Sequence, residues 1–427
     1  LLDGRGRFAH LEDNMNTNQW MRRGVAVLAM ALSGPALAGR PGVPHSGEPT
    51  HIRACAAVAA TTVASPSGHV ASPPVAKLVT PASELKLPFD RYTTTDEFGR
   101  EITFYLSVAN YKPNGPKEAP KDADTKDKSE TRDAATSGPT DTDAKDRPLP
   151  IAVFIQGSGG GSLFGELPDG RRYGGIQNIL LTLADGRFRV LCVEKPGVAF
   201  LSQATPPGSA EGCTDEFKRE HTPERWAAAI VAATRAARAL PGIDTSTLLV
   251  SGHSEGGDMA AHVGAAMPEA THVAILSAGG PTQLFDMAQL ARREQSPGES
   301  DADREARVES AYEAWARIMQ NPDSIEKSEW GHPNRRWSTF MKAGPVQSAL
   351  ACNAKMFLAY GTLDTSVPVE SCDVLRAQLT AAGKDVTTDR RIGEDHGYSK
   401  EGQDPRAGFT IVFTKMIEWW KPSGEGK

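Results

Sequence analysis

The chain has 427 residues, of which 39% are apolar and 23% charged, and a net charge of −6. That is ample for a packed core, and the absence of a basic stripe argues against a nucleic-acid partner. Ten histidines without His-x-x-x-His or Cys-His clustering give no expectation of a metal, and no motif calls for a cofactor.

Residues 1–20 are polar and aperiodic. Met21-Arg22-Arg23, the apolar stretch Gly24 to Leu32 and Ala36-x-Ala38 before Gly39 have the layout of a secretory signal peptide. The expectation is a translation start at Met21 (Met15 is the alternative), residues 1–20 as upstream read-through, and an exported product beginning near Gly39. The apolar stretch is too short to span a bilayer, so no stable membrane span is expected after cleavage. Twin-arginine export lacks its wider context. Residues 39–84 are rich in Ala, Pro, Ser and Thr, have no aromatic residue and predict a flexible tether. Arg53 stands where a lipobox at Cys55 would need a small or apolar residue.

A hairpin is expected next, Phe89 to Thr95 and Glu101 to Val108 around Asp96-Glu97-Phe98-Gly99-Arg100. Residues 113–148 hold no aliphatic or aromatic side chain larger than alanine, apart from proline, and mix acids with bases. They cannot contribute a core and predict a solvated, disordered insert. Pro150 to Ile155 is a β-branched strand running into Gln156-Gly157-Ser158-Gly159-Gly160-Gly161-Ser162. A phosphate-binding loop would close on Gly-Lys-Ser/Thr and open a helix, and this one does neither. Its amides suit a developing oxyanion instead. A strand from Arg187 to Glu194, a loop through Thr222 and a helix from Pro223 to Leu240 follow.

The apolar run Leu248-Leu249-Val250 then leads into Gly252-His253-Ser254-Glu255-Gly256 and a small-residue helix from Gly257 to Ala266. Gly-x-Ser-x-Gly between strand and helix is a tight turn that lifts a serine hydroxyl above a sheet, the glycines leaving room for the turn. His253 is expected to shield the backbone beside Ser254. For Glu255 there are two roles, a structural anchor of the turn or a contact to a substrate amine, and the structural one is the expectation. Val273 to Leu276 is the next strand. Pro281 to about Pro345 is longer than a strand-to-strand connection needs. It holds a short helix marked by Leu284, Met287 and Leu290, then a helix from Glu305 to Asn321 with Val308, Tyr312, Trp315 and Met319 on one face. Trp330, Trp337 and Phe340 follow.

Ala354 to Tyr360 predicts a buried strand that ends in Gly361-Thr362-Leu363-Asp364, followed by a helix from Val369 to Ala382. A strand from Asp385 to Ile392 ends in Gly393-Glu394-Asp395-His396-Gly397. Asp364 and His396 thus both fall beyond strand C-termini, where sites of parallel sheets collect. A serine nucleophile needs a base, and the base a carboxylate to hold its tautomer. Ser254, Asp364 and His396 come in the order Ser, Asp, His. Asp395, beside His396 in one loop, is expected to point away from the imidazole.

These motifs resemble those of the α/β-hydrolases, within the esterase, serine aminopeptidase and dienelactone-hydrolase-like group. The resemblance covers roughly residues 85–422. It implies an α/β fold, a mostly parallel sheet with helices on both faces and a helical cap at about 281–345, and Ser254, Asp364 and His396 as catalytic residues. It also implies an oxyanion hole from the amide of Glu255 and one of Gly157, Ser158 or Gly159. The donor stays open because the loop begins Gln156-Gly157 where many esterases carry His-Gly. The cap aromatics Trp315, Trp330 and Trp337 are the candidates for contact with a small-molecule ester or peptide. Ester hydrolysis through an acyl-enzyme is the first expectation. Peptidase, thioesterase or lactonase activity on the same residues is the alternative, and a non-catalytic binding protein on this scaffold belongs to another class. Five cysteines in an exported chain raise disulfides. The element order allows Cys352 with Cys372 and Cys192 with Cys213, without fixing connectivity. None occupies the serine turn.

Overall fold

In the structure, a computed structural model, residues 74–109, 111–113, 147–294 and 297–422 are described. The expected signal peptide at 21–38, the read-through at 1–20, Cys55 and nearly all of the insert at 113–148 lie outside them.

Among the described residues nine strands make one sheet: β1 (Lys77–Thr80), β2 (Phe89–Thr95), β3 (Glu101–Ser107), β4 (Leu149–Ile155), β7 (Arg189–Val193), β8 (Ile243–His253), β9 (His272–Leu276), β12 (Lys355–Gly361) and β13 (Val386–Arg391). The spatial order is β1-β2-β3-β7-β4-β8-β9-β12-β13. β2 runs antiparallel to both β1 and β3, and β3 antiparallel to β7, while every neighbouring pair from β7 to β13 is parallel. Two small hairpins, β5 (Phe164–Glu166) with β6 (Arg172–Gly174) and β10 (Ser328–Glu329) with β11 (His332–Pro333), stand apart from the sheet.

β4, β9 and β12, and the second half of β8, are largely apolar and buried because helices cover both faces. All seven residues of β4 are buried. Ile151, Val153 and Ile155 point to one core layer, with α4 (Pro223–Arg238), α5 (Glu255–Ala266), α9 (Pro345–Ala351) and α10 (Val369–Ala381). Ala152 and Phe154 point to the other, with α2 (Gln177–Ala184) and α11 (Pro405–Trp420). The fold is therefore the expected α/β arrangement, a large mixed and mostly parallel sheet between helical layers. No helix among the described residues is long and apolar enough to cross a membrane.

Several boundaries differ from expectation. Residues 39–73 of the expected tether lie outside the described residues, and its last part is not a tether, since β1 and a short helix α1 (Ala82–Leu85) belong to the fold, with Lys77 paired to Thr93 of β2. Neither α2 nor the hairpin before it was expected between the glycine loop and β7. A further short helix, α3 (Asp215–Glu220), lies in the loop before α4. The insert between β9 and β12 is helical as expected, with α6 (Gln283–Arg293), α7 (Asp301–Met319) and α8 (Asn334–Phe340). Ser300 and Asp303 form a capping box, which starts α7 before the expected Glu305. Its buried face is Val308, Ala311, Ala314 and Ile318. Tyr312 turns to solvent, because small alanines let α7 lie close to α6 and displace the larger side chains to the flank. The disulfide expectation is corrected: Cys192, Cys213, Cys352 and Cys372 are all free. Cys372 Sγ donates to Ala278 O at 3.5 Å, whereas Cys352 packs beside Gly264 of α5, so the two thiols serve different contacts.

Candidate active site

Ser254 lies between the end of β8 and the start of α5 with φ 60° and ψ −133°, a conformation that costs an L-residue energy. Its surroundings hold it there. The Ser254 N–H donates to Leu276 O of the neighbouring β9 at 2.9 Å, and its carbonyl accepts from Gly257 N at 2.7 Å. The flanking glycines are required by close approach. A Cβ on Gly252 would lie 1.9 Å from Gly256 O, and one on Gly256 would lie 2.2 Å from Ile155 O. The turn therefore packs directly against the end of β4, where the glycine loop begins.

Asp364 follows β12 and His396 follows β13. The structure brings them together: His396 Nδ1 donates to Asp364 Oδ2 at 2.8 Å, with both side chains buried. The other carboxylate oxygen, Oδ1, accepts from Ser366 N at 2.7 Å and Val367 N at 2.8 Å. That leaves the Nε2 face of His396 as the basic one. Burial opposes a charged imidazole here, but the Asp364 charge and hydrogen bond, with Asp395 adding, hold His396 above the ordinary imidazole value. Asp395 instead accepts from Gly397 N and Ser399 N, both at 2.9 Å, and so braces its own loop.

The His396 loop has two further supports. Its carbonyl accepts from His253 Nε2 at 2.9 Å and from Ser277 Oγ at 3.1 Å. The His253 ring lies 4.6 Å from that of His396, which sets the imidazole against the residue preceding Ser254. Burial, with the neighbouring His396 adding, pulls His253 down to about 3, so it stays neutral and its N–H is available to donate. His253 is thus a structural link between two loops, beyond the shielding expected of it.

Gly157 borders the serine. A Cβ there would sit 3.3 Å from Ser254 Cβ and 3.7 Å from Ser254 Oγ. Gly160 N donates to Ser209 O at 3.1 Å and Ser162 N to Ser202 O at 2.8 Å, so those two amides are committed elsewhere. The Glu255 N–H opens α5 beside Ser254, among the helix's free amides. Its side chain is buried. Glu255 Oε1 accepts from His221 Nε2 at 2.8 Å, and Oε2 accepts from Arg336 Nη2 of α8. Against the cost of burial, Arg336, His221 and Lys195 hold this carboxylate well below its usual range. With both oxygens engaged and the side chain buried, the carboxylate ties the start of α5 to His221 and the cap.

Around Glu255 lies a cluster that the sequence did not point to. Lys195 Nζ is 3.9 Å from Glu255 Oε1 and 4.5 Å from the centroid of the Trp226 ring. His332 Nε2 donates to Gly208 O at 2.9 Å, and the Arg336 guanidinium lies 3.8 Å from the Trp337 ring. These residues come from the end of α3, from α4, the β7 loop, β11 and α8, and only a Lys-Pro-Gly turn after an apolar strand could have marked any of them. Trp337 is 1% exposed and donates from Nε1 to Glu329 O at 2.6 Å. It is part of the cap's own core with Met287, Ala311, Ile318 and Met341, whereas Trp315 and Trp330 are half-buried on its flank.

The mostly parallel sheet between helical layers, with Ser254 on a strained turn between β8 and α5, is the arrangement that the sequence motifs led us to expect. No family model matches the chain, and no curated protein matches it in sequence. Solved structures of similar fold include Pyrococcus horikoshii acylaminoacyl peptidase (15% identity, 80% of this chain and 44% of that one, TM-score 0.49). A puromycin-hydrolysing peptidase of Mycobacterium tuberculosis is another (14%, 82% and 39%, TM-score 0.45). Est1E from Butyrivibrio proteoclasticus is a third (16%, 77% and 98%, TM-score 0.43). The chain spans less than half the length of the two peptidases.

Proposed function

We propose that the chain is an exported serine hydrolase that cleaves a carboxylic ester through an acyl-enzyme. His396 Nε2 takes the proton of Ser254, whose oxygen attacks the carbonyl carbon. Asp364 holds the imidazole tautomer, and the amide of Glu255 with one from Gly157 to Gly159 takes the oxyanion. Water then releases the acid, with His396 again as base. The observation that carries this is the strained Ser254 turn beside Gly157, with the Asp364-supported imidazole of His396 packed against the residue before it. Esters come first because they ask least of the leaving group. Thioesters and lactones use the same steps. The engaged Glu255 carboxylate removes the nearest anchor for a peptide amino terminus, which ranks aminopeptidase activity lower. Trp315 and Trp330, at the flank of the cap, are the cap aromatics proposed to meet the substrate. Export rests on residues 21–38, with the mature product starting near Gly39. Rates on p-nitrophenyl esters and aminoacyl nitroanilides, for the wild type and Ser254→Ala, test the reading. Turnover on esters that vanishes in the variant is expected, and equal turnover by both would refute it.

A further inference from the structure

Lys195 is 1% exposed, a costly place for an ammonium. β7 lies beside β4 in the sheet, so a residue just past the end of β7 can reach the loop just past the end of β4. Lys195 Nζ donates to Gly157 O at 2.6 Å and to Gly159 O at 2.7 Å. Across a trans peptide the C=O and the following N–H point in opposite directions. The Gly159–Gly160 unit shows this directly, since its carbonyl faces Lys195 while Gly160 N–H donates away to Ser209 O. In the Gly157–Ser158 unit the carbonyl also faces Lys195, so Ser158 N–H turns to the open side. Ser158 is exposed, and Gly157 is the residue against Ser254.

We infer, resting on the serine-hydrolase reading above, that Lys195 is a positioning residue for the oxyanion hole. By gripping the carbonyls of Gly157 and Gly159 it aims the Ser158 N–H at the carbonyl oxygen attacked by Ser254, and Ser158 with Glu255 is the donor pair. A cation on the carbonyl side also polarises the peptide and strengthens its N–H as a donor. The ion network around Glu255 holds the ammonium in place. Facing Lys195 are Glu255 of α5, Arg336 of α8, His221 at the end of α3, His332 of β11, the Trp226 ring of α4, and Cys213 and Glu194 in the adjoining loops. Burial pulls Lys195 down to about 8; Glu255, Cys213 and Glu194 oppose this and Arg336 adds to it. Below that pH the grip is charged, and above it the grip weakens.

The test is kcat and KM on p-nitrophenyl acetate from pH 6 to 9.5 for the wild type, Lys195→Met and Ser254→Ala, with Lys218→Met as a surface control and thermal melts of each. Losing a full oxyanion donor costs about 10²–10³ in kcat. Lys195→Met, which loosens one, should lose about 10–100-fold in kcat with KM little changed, while Lys218→Met behaves as wild type. The wild type should show an alkaline fall of kcat near pH 8, at unchanged melting temperature, that is missing from Lys195→Met. A folded Lys195→Met with wild-type kcat overturns the inference. Should that variant not fold, the wild-type profile decides: flat rates up to pH 9.5 overturn it, and a fall near pH 8 supports it. Turnover surviving in Ser254→Ala would instead overturn the triad reading, whatever Lys195 does.

Discussion

Asp364→Asn isolates the contribution of one carboxylate to the proposed base. In the wild type Oδ1 is held by the amides of Ser366 and Val367, and Oδ2 takes the proton on His396 Nδ1 at 2.8 Å. An asparagine keeps the two amide contacts through its carbonyl oxygen, which turns its NH₂ toward His396. Two donors then face each other unless the imidazole moves its proton from Nδ1 to Nε2, and Nε2–H cannot accept from Ser254. The expected loss in kcat is roughly 10³–10⁴-fold, or about 4–5.5 kcal/mol of barrier. Asp395→Asn keeps a carbonyl oxygen for Gly397 N and Ser399 N and should cost less than about tenfold, since it removes only a secondary charge from the imidazole. Because Asp364 helps hold His396 above the ordinary imidazole value, wild-type activity should fall as pH drops through a point above 6.5, and Asp364→Asn should move that limb to lower pH. Steady-state kinetics across pH on both variants provides the measurement. A larger loss in Asp395→Asn than in Asp364→Asn would refute the acid assignment.

Ser254→Ala should abolish labelling by a fluorophosphonate probe while leaving the melting temperature at or above the wild-type value, and persistent labelling would redirect the search for a nucleophile. Arg336→Met strips a buried carboxylate of one partner, so chemical denaturation should show a loss of roughly 3–5 kcal/mol. A neutral result there would mean that Lys195 and His221 hold Glu255 without the cap. Removing residues 115–146 and closing the gap with a short turn should change stability little, because loop-closure entropy varies slowly with length. A large drop in melting temperature would show that the segment packs. Amino-terminal sequencing of the exported product should find a start near Gly39, and an unprocessed cytoplasmic chain would count against export.

Legibility from sequence followed the range of the interactions. Gly252 and Gly256 were readable because a neighbouring backbone carbonyl occupies the space of any Cβ, a demand set within a few residues and by the adjacent strand end. Asp364 was readable because an apolar run locates β12, His396 because a short strand with a β-branched start precedes its loop, and parallel strands deliver their following loops to one edge. Residues 39–84 mark the limit of that logic. Their composition predicts a tether, yet Lys77 to Thr80 pair with β2, a choice made by an open sheet edge rather than by the segment itself. In α7 the period was right and the buried face was shifted, since packing against α6 favoured Ala311 and Ala314 over Tyr312.

What the sequence by itself determined was the parallel strands of the sheet, the serine turn and the chain order of the candidate triad, because steric and periodic constraints act locally and leave residue types as their trace. Only the tertiary structure decided the supports beneath them. His253 reaches the His396 carbonyl, Arg336 reaches Glu255 from the cap, and Lys195 reaches the carbonyls of Gly157 and Gly159. It also left the four described cysteines unpaired. A lone histidine, arginine, lysine or cysteine has no periodicity to betray its partner. Its role exists only once a chain dozens of residues away has folded within hydrogen-bond distance of it.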